Sequence, residues 1–171
     1  MPAFIGRDIG SLYGQVPLDA ASTKIRILDV RPLGTLDTFD APVSGDLRVV
    51  ELVDCPQYTA LSYVWGTYAA ERHTIMCNDT LVEVTSNCHS ALLHPRKTLG
   101  AFSIWVDSIC INQANLPEKQ HQIDIMGSIY KQAACVYIWL GESTDGTQRA
   151  MAYLASKGFL TGTEKASLYN V

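Results

Sequence analysis

The segment Ile104–Gln122, IWVDSICINQANLPEKQHQ, decides how this chain folds. Three apolar residues, Ile104, Trp105 and Val106, run strand-like into Asp107. Ser108, Cys110, Asn112, Gln113 and Asn115 crowd together immediately afterwards, and a helix opens with Glu118 in its first turn. A strand that passes through a polar turn into a helix is half of a βα unit. In open α/β sheets ligands bind at the carboxyl ends of strands, where the chain enters the next helix. The cluster therefore marks both a fold class and a candidate site.

The flanking segments extend the alternation. YTALSYVWG (Tyr58 to Gly66) is rich in aromatic and β-branched residues and closes on a glycine, as a strand does. Thr85 or Ser86 can cap a helix from Asn87 to about Arg96, stopped by Pro95 and the nearby Gly100. FSIWVDSIC (Phe102 to Cys110) reads as a buried strand. The helix expected from Pro117 to Lys131 sets Ile123, Met126, Tyr130 and Ala133 on one face. CVYIWLG (Cys135 to Gly141) is a continuous apolar strand of the kind covered by helices on both faces. Thr147 to Lys157 has the pattern of a last amphipathic helix.

Strands alternating with helices over residues 58–157 predict an α/β sandwich with a mainly parallel sheet. Two N-terminal strands, TKIRILDV (Thr23 to Val30) and LRVVELVD (Leu47 to Asp54), would decorate it. So would a hairpin, HTIMCN and TLVEVT, turning at Asn78-Asp79. The expected organisation is an irregular arm over 1–22, one domain over 23–157, and a tail or linker start over 158–171.

At 171 residues and 47% hydrophobic, the chain can bury one good core. Thirteen basic against seventeen acidic residues give a net charge of -4 without a Lys/Arg cluster, which argues against a nucleic-acid partner. No apolar run is long enough to span a bilayer, and MPAFIGRDIG lacks the blocks of a signal peptide. A cytoplasmic protein is expected. Five cysteines without a CxxC pair fit neither a zinc site nor a disulfide framework, so free thiols, no metal and no resident cofactor are expected. The absence of GxGxxG and P-loop patterns removes a standard dinucleotide or ATP cradle.

Two stretches together carry a family signature. ALSYVWG (Ala60 to Gly66) and WVDSICINQ (Trp105 to Gln113), with the following Glu118-Lys119 and Gln122 and the close IYKQAACVYIWLG (Ile129 to Gly141), closely resemble the fungal heterokaryon incompatibility (HET) domain. The resemblance spans roughly Lys24 to Leu154, and ordered boxes of this length are far more specific than a lone glycine motif. Cys88 departs from it, standing where members usually have Leu. The resemblance implies a domain that induces cell death when genetically different strains fuse. The HET family is in turn distantly similar to TIR domains. These share a flavodoxin-like βα order, carry an xxISY-type box that LSYVWG resembles, and in several branches hydrolyse NAD. That similarity implies NAD as a possible substrate, a homo-oligomer on activation whose activity rises with concentration, and an upstream sensor. By element order it lays the catalytic glutamate of TIR enzymes near Glu118.

The residues themselves allow two readings each. The Glu118 carboxylate would stabilise charge at the anomeric carbon as nicotinamide leaves, or it would complete a capping box begun by Asn115. Asp107 would assist as the second catalytic carboxylate, or hold its own turn. Asn112 and Gln113 would orient ribose or carboxamide, or satisfy loop backbone. Ser62, Tyr63, Trp65 and Gly66 would line the pocket, with Tyr63 and Trp65 sharing a face by parity, or fill the core. Cys110 would be a nucleophile with His121 or His73 as base, or a small buried side chain.

Overall fold

The computed structural model describes residues 9–19, 22–34, 41–66 and 71–142, with isolated positions 149, 153 and 156. Among these, seven strands form one sheet: β1 (Lys24–Val30), β2 (Ser44–Glu51), β3 (Thr59–Tyr63), β4 (Arg72–Cys77), β5 (Thr80–Thr85), β6 (Phe102–Trp105) and β7 (Cys135–Trp139). The helices are α1 (Ile9–Gln15), α2 (Ser86–Leu99), α3 (Asp107–Cys110), α4 (Leu116–Asp124) and α5 (Met126–Gln132). The expected final helix, 147–157, lies almost wholly outside the described residues, as does the tail from 158.

The α/β class holds, but the sheet is mixed where a mainly parallel one was expected. Its order is β5-β4-β2-β1-β6-β3-β7. The ladders β6-β3, β3-β7 and β2-β4 are parallel, while β1-β2, β1-β6 and β4-β5 are antiparallel. The two N-terminal strands account for the difference, since they sit at the centre of the sheet instead of decorating it. Residues of both parities in β1, Ile25, Arg26, Ile27 and Leu28, are buried. β1 is central because β2 and β6 pair with its two sides, and its burial on both faces matches that place.

Other differences are local. Within the expected irregular arm, α1 forms and buries Leu12 and Tyr13. The strand expected to run to Cys110 ends at Trp105, and Asp107 starts the short α3 instead. The single helix expected over 117–131 is two helices broken at Ile125, whose ψ of 1° departs from helical geometry. Helix α2 runs through Pro95 and stops at Gly100, whose φ of +74° suits a glycine. The β4–β5 hairpin turns at Asn78-Asp79 with φ of +46° and +61° at those two residues, the positive pair that a tight primed turn requires.

Helix α2 packs against β3 as well as β4 and β5, strands from opposite flanks of the sheet. The hollow described below is lined from the carboxyl end of β3 and from the β4–β5 hairpin. No helix among the described residues is long and apolar enough to cross a membrane.

Gly45 shows how closely β1 and β2 approach. A Cβ there would lie 2.6 Å from the Asp29 carbonyl oxygen and 2.9 Å from Leu28 Cδ1. Gly45→Ala is expected to destabilise the domain by about 1–3 kcal/mol, because backbone in a central ladder cannot yield cheaply. Urea unfolding of the two proteins checks this, and an unchanged midpoint would contradict it.

Candidate functional site

The end of β3 and the turn after β6 meet. Tyr63 and Trp65 project to the same side, as their parity predicts, and both reach α3. Tyr63 Oη donates to Ser108 Oγ at 2.7 Å, and Trp65 Nε1 donates to Asp107 Oδ2 at 2.9 Å. Asn87 of α2 secures this corner from behind. Its Nδ2 donates to the Val64 carbonyl at 2.6 Å, while its Oδ1 accepts from Trp139 Nε1 at 2.7 Å. Gly66 then turns away with φ of +83°. Between this corner, α3 and the hairpin lies a cleft of about 410 Å³. Tyr13, Tyr63, Trp65, Gly66, Ser108 and Gln113 are among the residues that line it.

Asp107 is the acidic group of the corner. Burial pushes its carboxyl pKa up, opposed by the hydrogen bonds from Trp65 and from the Ser108 backbone N–H. A carboxylate held partly out of water acts more strongly on a nearby positive charge. Gln113 Nε2 donates to the Asp107 carbonyl at 2.9 Å, while its Oε1 is buried without a hydrogen-bond partner. Trp65 is 43% exposed, so part of its indole remains open to a ring.

Glu118 is elsewhere. Only 4% exposed, it makes a bidentate pair with Arg26 of β1, which is 1% exposed. The two bonds measure 2.6 and 3.2 Å. Glu118 Oε1 also accepts the Asn112 backbone N–H at 2.7 Å. Arg26 in turn donates to the carbonyls of Val16 and Cys110 at 2.6 and 3.0 Å, and its guanidinium lies 4.8 Å from the centre of the Tyr13 ring. Asn115 caps α4 by accepting the Glu118 N–H at 3.2 Å, but the Glu118 side chain reaches to Asn112 and Arg26 instead of closing a reciprocal box on Asn115. The carboxylate is thus a tie between the central strand and the loop, and it is not among the groups lining the cleft.

Of the remaining expected residues, Asn112 stays within its loop, its Oδ1 accepting the Ala114 N–H at 3.1 Å. Ser62 is half-buried on the opposite parity from Tyr63 and does not line the cleft. Cys110 is fully buried, its thiol pKa pushed up to about 12 by burial. His121 Nε2 contacts the Ser22 carbonyl at 2.8 Å, and His73 stacks on His89, so neither is shown serving Cys110 as a base. Sequence reading missed Tyr13 and Arg26. Tyr13 Oη donates to the Ile109 carbonyl at 2.9 Å, beneath the cleft loop. No local pattern announces either residue, because their partners from Ile109 to Glu118 lie 84 to 98 positions away.

The family model for heterokaryon incompatibility protein (HET) matches residues 58–167, the segment that builds the Trp65–Asp107 corner. The chain belongs to the HET family. It is 33% identical over 164 residues to heterokaryon incompatibility protein 6, OR allele, of Neurospora crassa, a match covering 85% of this chain. The chain spans only 23% of that relative's length. No solved structure matches it. Within this HET domain, Arg26 and Tyr13 lie ahead of the segment matched by the family model, yet both brace the loop on which the family's WVDSICINQ box sits.

Removing one partner of a buried ion pair leaves an uncompensated charge, a loss of about 3–5 kcal/mol. Glu118→Gln and Arg26→Met are therefore expected each to destabilise the HET domain by that amount. The double variant Arg26→Met, Glu118→Gln should lose less than the two singles added together. Denaturant titration of the four proteins tests the coupling, and strict additivity would contradict it.

A thiol reagent should modify the exposed Cys55 rapidly. The buried Cys77, Cys88 and Cys110 should react only after unfolding. Peptide mapping of labelled native protein would expose any early modification at Cys110.

Proposed function

We propose that this HET domain is a cytoplasmic cell-death effector of heterokaryon incompatibility and that its cleft binds NAD and releases nicotinamide. The observation that carries this reading is the convergence of Trp65, Tyr63, Ser108, Asp107 and Gln113 at one corner beside a 410 Å³ cleft. A hollow of that size, with a few placed polar groups, is what a small-molecule site requires. The nicotinamide ring would stack on Trp65 and its carboxamide would face Gln113. The bond from C1′ of the ribose to the ring nitrogen breaks, and its electron pair goes to the nicotinamide. Water then adds to C1′ and loses a proton. Asp107 would stabilise the positive charge at C1′ during that step.

A TIR-like fold is part of the proposal. Strands β6-β3-β7 are mutually parallel with the first in sequence at their centre, the 2-1-3 beginning of a flavodoxin-like order. Counted that way, Glu118 follows the second parallel strand, whereas the catalytic glutamate of the TIR enzymes that the family resembles lies in the helix after the third core strand. With its carboxylate already held by Arg26, the charge-stabilising role is assigned to Asp107 and Glu118 becomes a positioning residue.

One observation favours a second reading, a non-catalytic death-signalling module that works by self-assembly or by recruiting a partner. Both Asp107 oxygens already accept hydrogen bonds, from Trp65 and from the Ser108 N–H. On either reading the active species would be a homo-oligomer under the control of an upstream sensor.

Nicotinamide release from NAD by purified protein distinguishes the two. Asp107→Asn is expected to lower the rate roughly a hundredfold, the scale of losing one electrostatic contact in a transition state. Activity per molecule should climb with protein concentration. Wild-type turnover by Asp107→Asn would remove that residue from the mechanism, and absence of release even from concentrated or tethered protein would leave the scaffold reading.

A further inference from the structure

We infer that Arg72 is the phosphate anchor of the cleft, an inference that rests on reading the cleft as a nucleotide site. Arg72 opens β4, lines the hollow from the hairpin and is exposed. Its guanidinium differs from the other arginines of the sheet and α2. Arg26, Arg31 and Arg48 each meet a carboxylate, and Arg96 meets three backbone carbonyls. Arg72 has no ion pair or side-chain hydrogen bond among the described residues. A cation standing unpaired on the wall of a cleft is available to an anion that enters it, and the planar guanidinium fork matches two phosphate oxygens.

Neither acid near it forms an ion pair with it: Glu71 precedes it in the chain and Glu83 lies across the hairpin. Arg72 pairs with Thr85, whereas Glu83, the acidic side chain that also lines the cleft, pairs with Thr74. Arg72 and Glu83 are thus diagonal neighbours and lie beyond ion-pair distance of each other. The hairpin side of the cleft accordingly carries Arg72 and, diagonal to it, Glu83, while the partly buried Asp107, not itself a lining residue, is bonded to Trp65 at the corner. A ligand that joins a positively charged ring to a phosphate meets both ends with opposite charge. Such a ligand would place its ring at Trp65 and its phosphate at Arg72, which fixes its direction in the cleft.

Removing the phosphate from the ligand and the guanidinium from the protein should be equivalent operations. Calorimetric titration of the 171-residue chain with nicotinamide mononucleotide and with nicotinamide riboside makes the comparison, in wild type and in Arg72→Ala. The wild type should bind the mononucleotide roughly five- to tenfold more tightly than the riboside, the value of one exposed charge-assisted contact. In Arg72→Ala that preference should vanish while riboside affinity stays unchanged, which also reports that the variant is folded. A preference that survives in Arg72→Ala overturns the inference and leaves the nucleotide cleft standing. Equal loss of both ligands in the variant overturns it as well, since Arg72 would then act on the whole site and not on the phosphate. If neither ligand binds wild-type protein, the nucleotide reading itself fails and takes the anchor with it.

Discussion

The pairing of Arg26 with Glu118 is the interaction on which the rest of this structure depends. Arg26 lies within the central strand, and a charged residue there is tolerated because four of its five N–H groups are bonded. Glu118 accepts two bonds, the carbonyls of Val16 and Cys110 accept two more, and the Tyr13 ring lies against its plane. An unpaired charge at that depth would cost several kcal/mol, so the pair is maintained or the centre of the sheet fails. Its contacts join α1 and the segment after it, β1, α3 and the loop that follows, and the start of α4. One buried ion pair therefore sets where the loop bearing Asn112 and Gln113 lies.

This constraint also explains why the corner at Trp65 has a fixed shape. The loop is held from below by Arg26 and Tyr13, and from the side by Tyr63 and Trp65. Asn87 fixes the strand end from which those aromatics project. Each of these groups is packed or bonded in turn, so Asp107 and Gln113 are presented by a supported frame instead of a free loop. Preorganisation of that kind is what electrostatic stabilisation of a developing charge needs, because the dipoles need not reorient when the charge appears. The same rigidity would equally suit a surface recognised by a partner.

Much of this was legible in the residues. The βα junction at Asp107, the strand Tyr58 to Gly66, the hairpin turn at Asn78-Asp79 and the shared face of Tyr63 and Trp65 all follow from local periodicity and turn chemistry. The strand orientation was not legible. TKIRILDV reads as an alternating strand with one buried face, and nothing local distinguishes an edge from a centre. Its burial on both sides is decided by β2 and β6, which pair with it from elsewhere in the chain. The break at Ile125 likewise sits inside an uninterrupted helical pattern.

By itself the sequence determined the α/β class, the position of the polar turn and the membership of the HET family, because short-range patterning and long ordered boxes carry that information. Tertiary structure alone decided which carboxylate is tied to a buried cation and which joins the Trp65 corner beside the cleft. Glu118 and Asp107 stand eleven positions apart on consecutive elements (118 minus 107), and both are acids near a helix start. What separates them is a cation from residue 26 that reaches one and an indole from residue 65 that reaches the other. Partners that distant in the chain leave no trace in local spacing, and desolvation is a property of the packed surroundings and not of the residue.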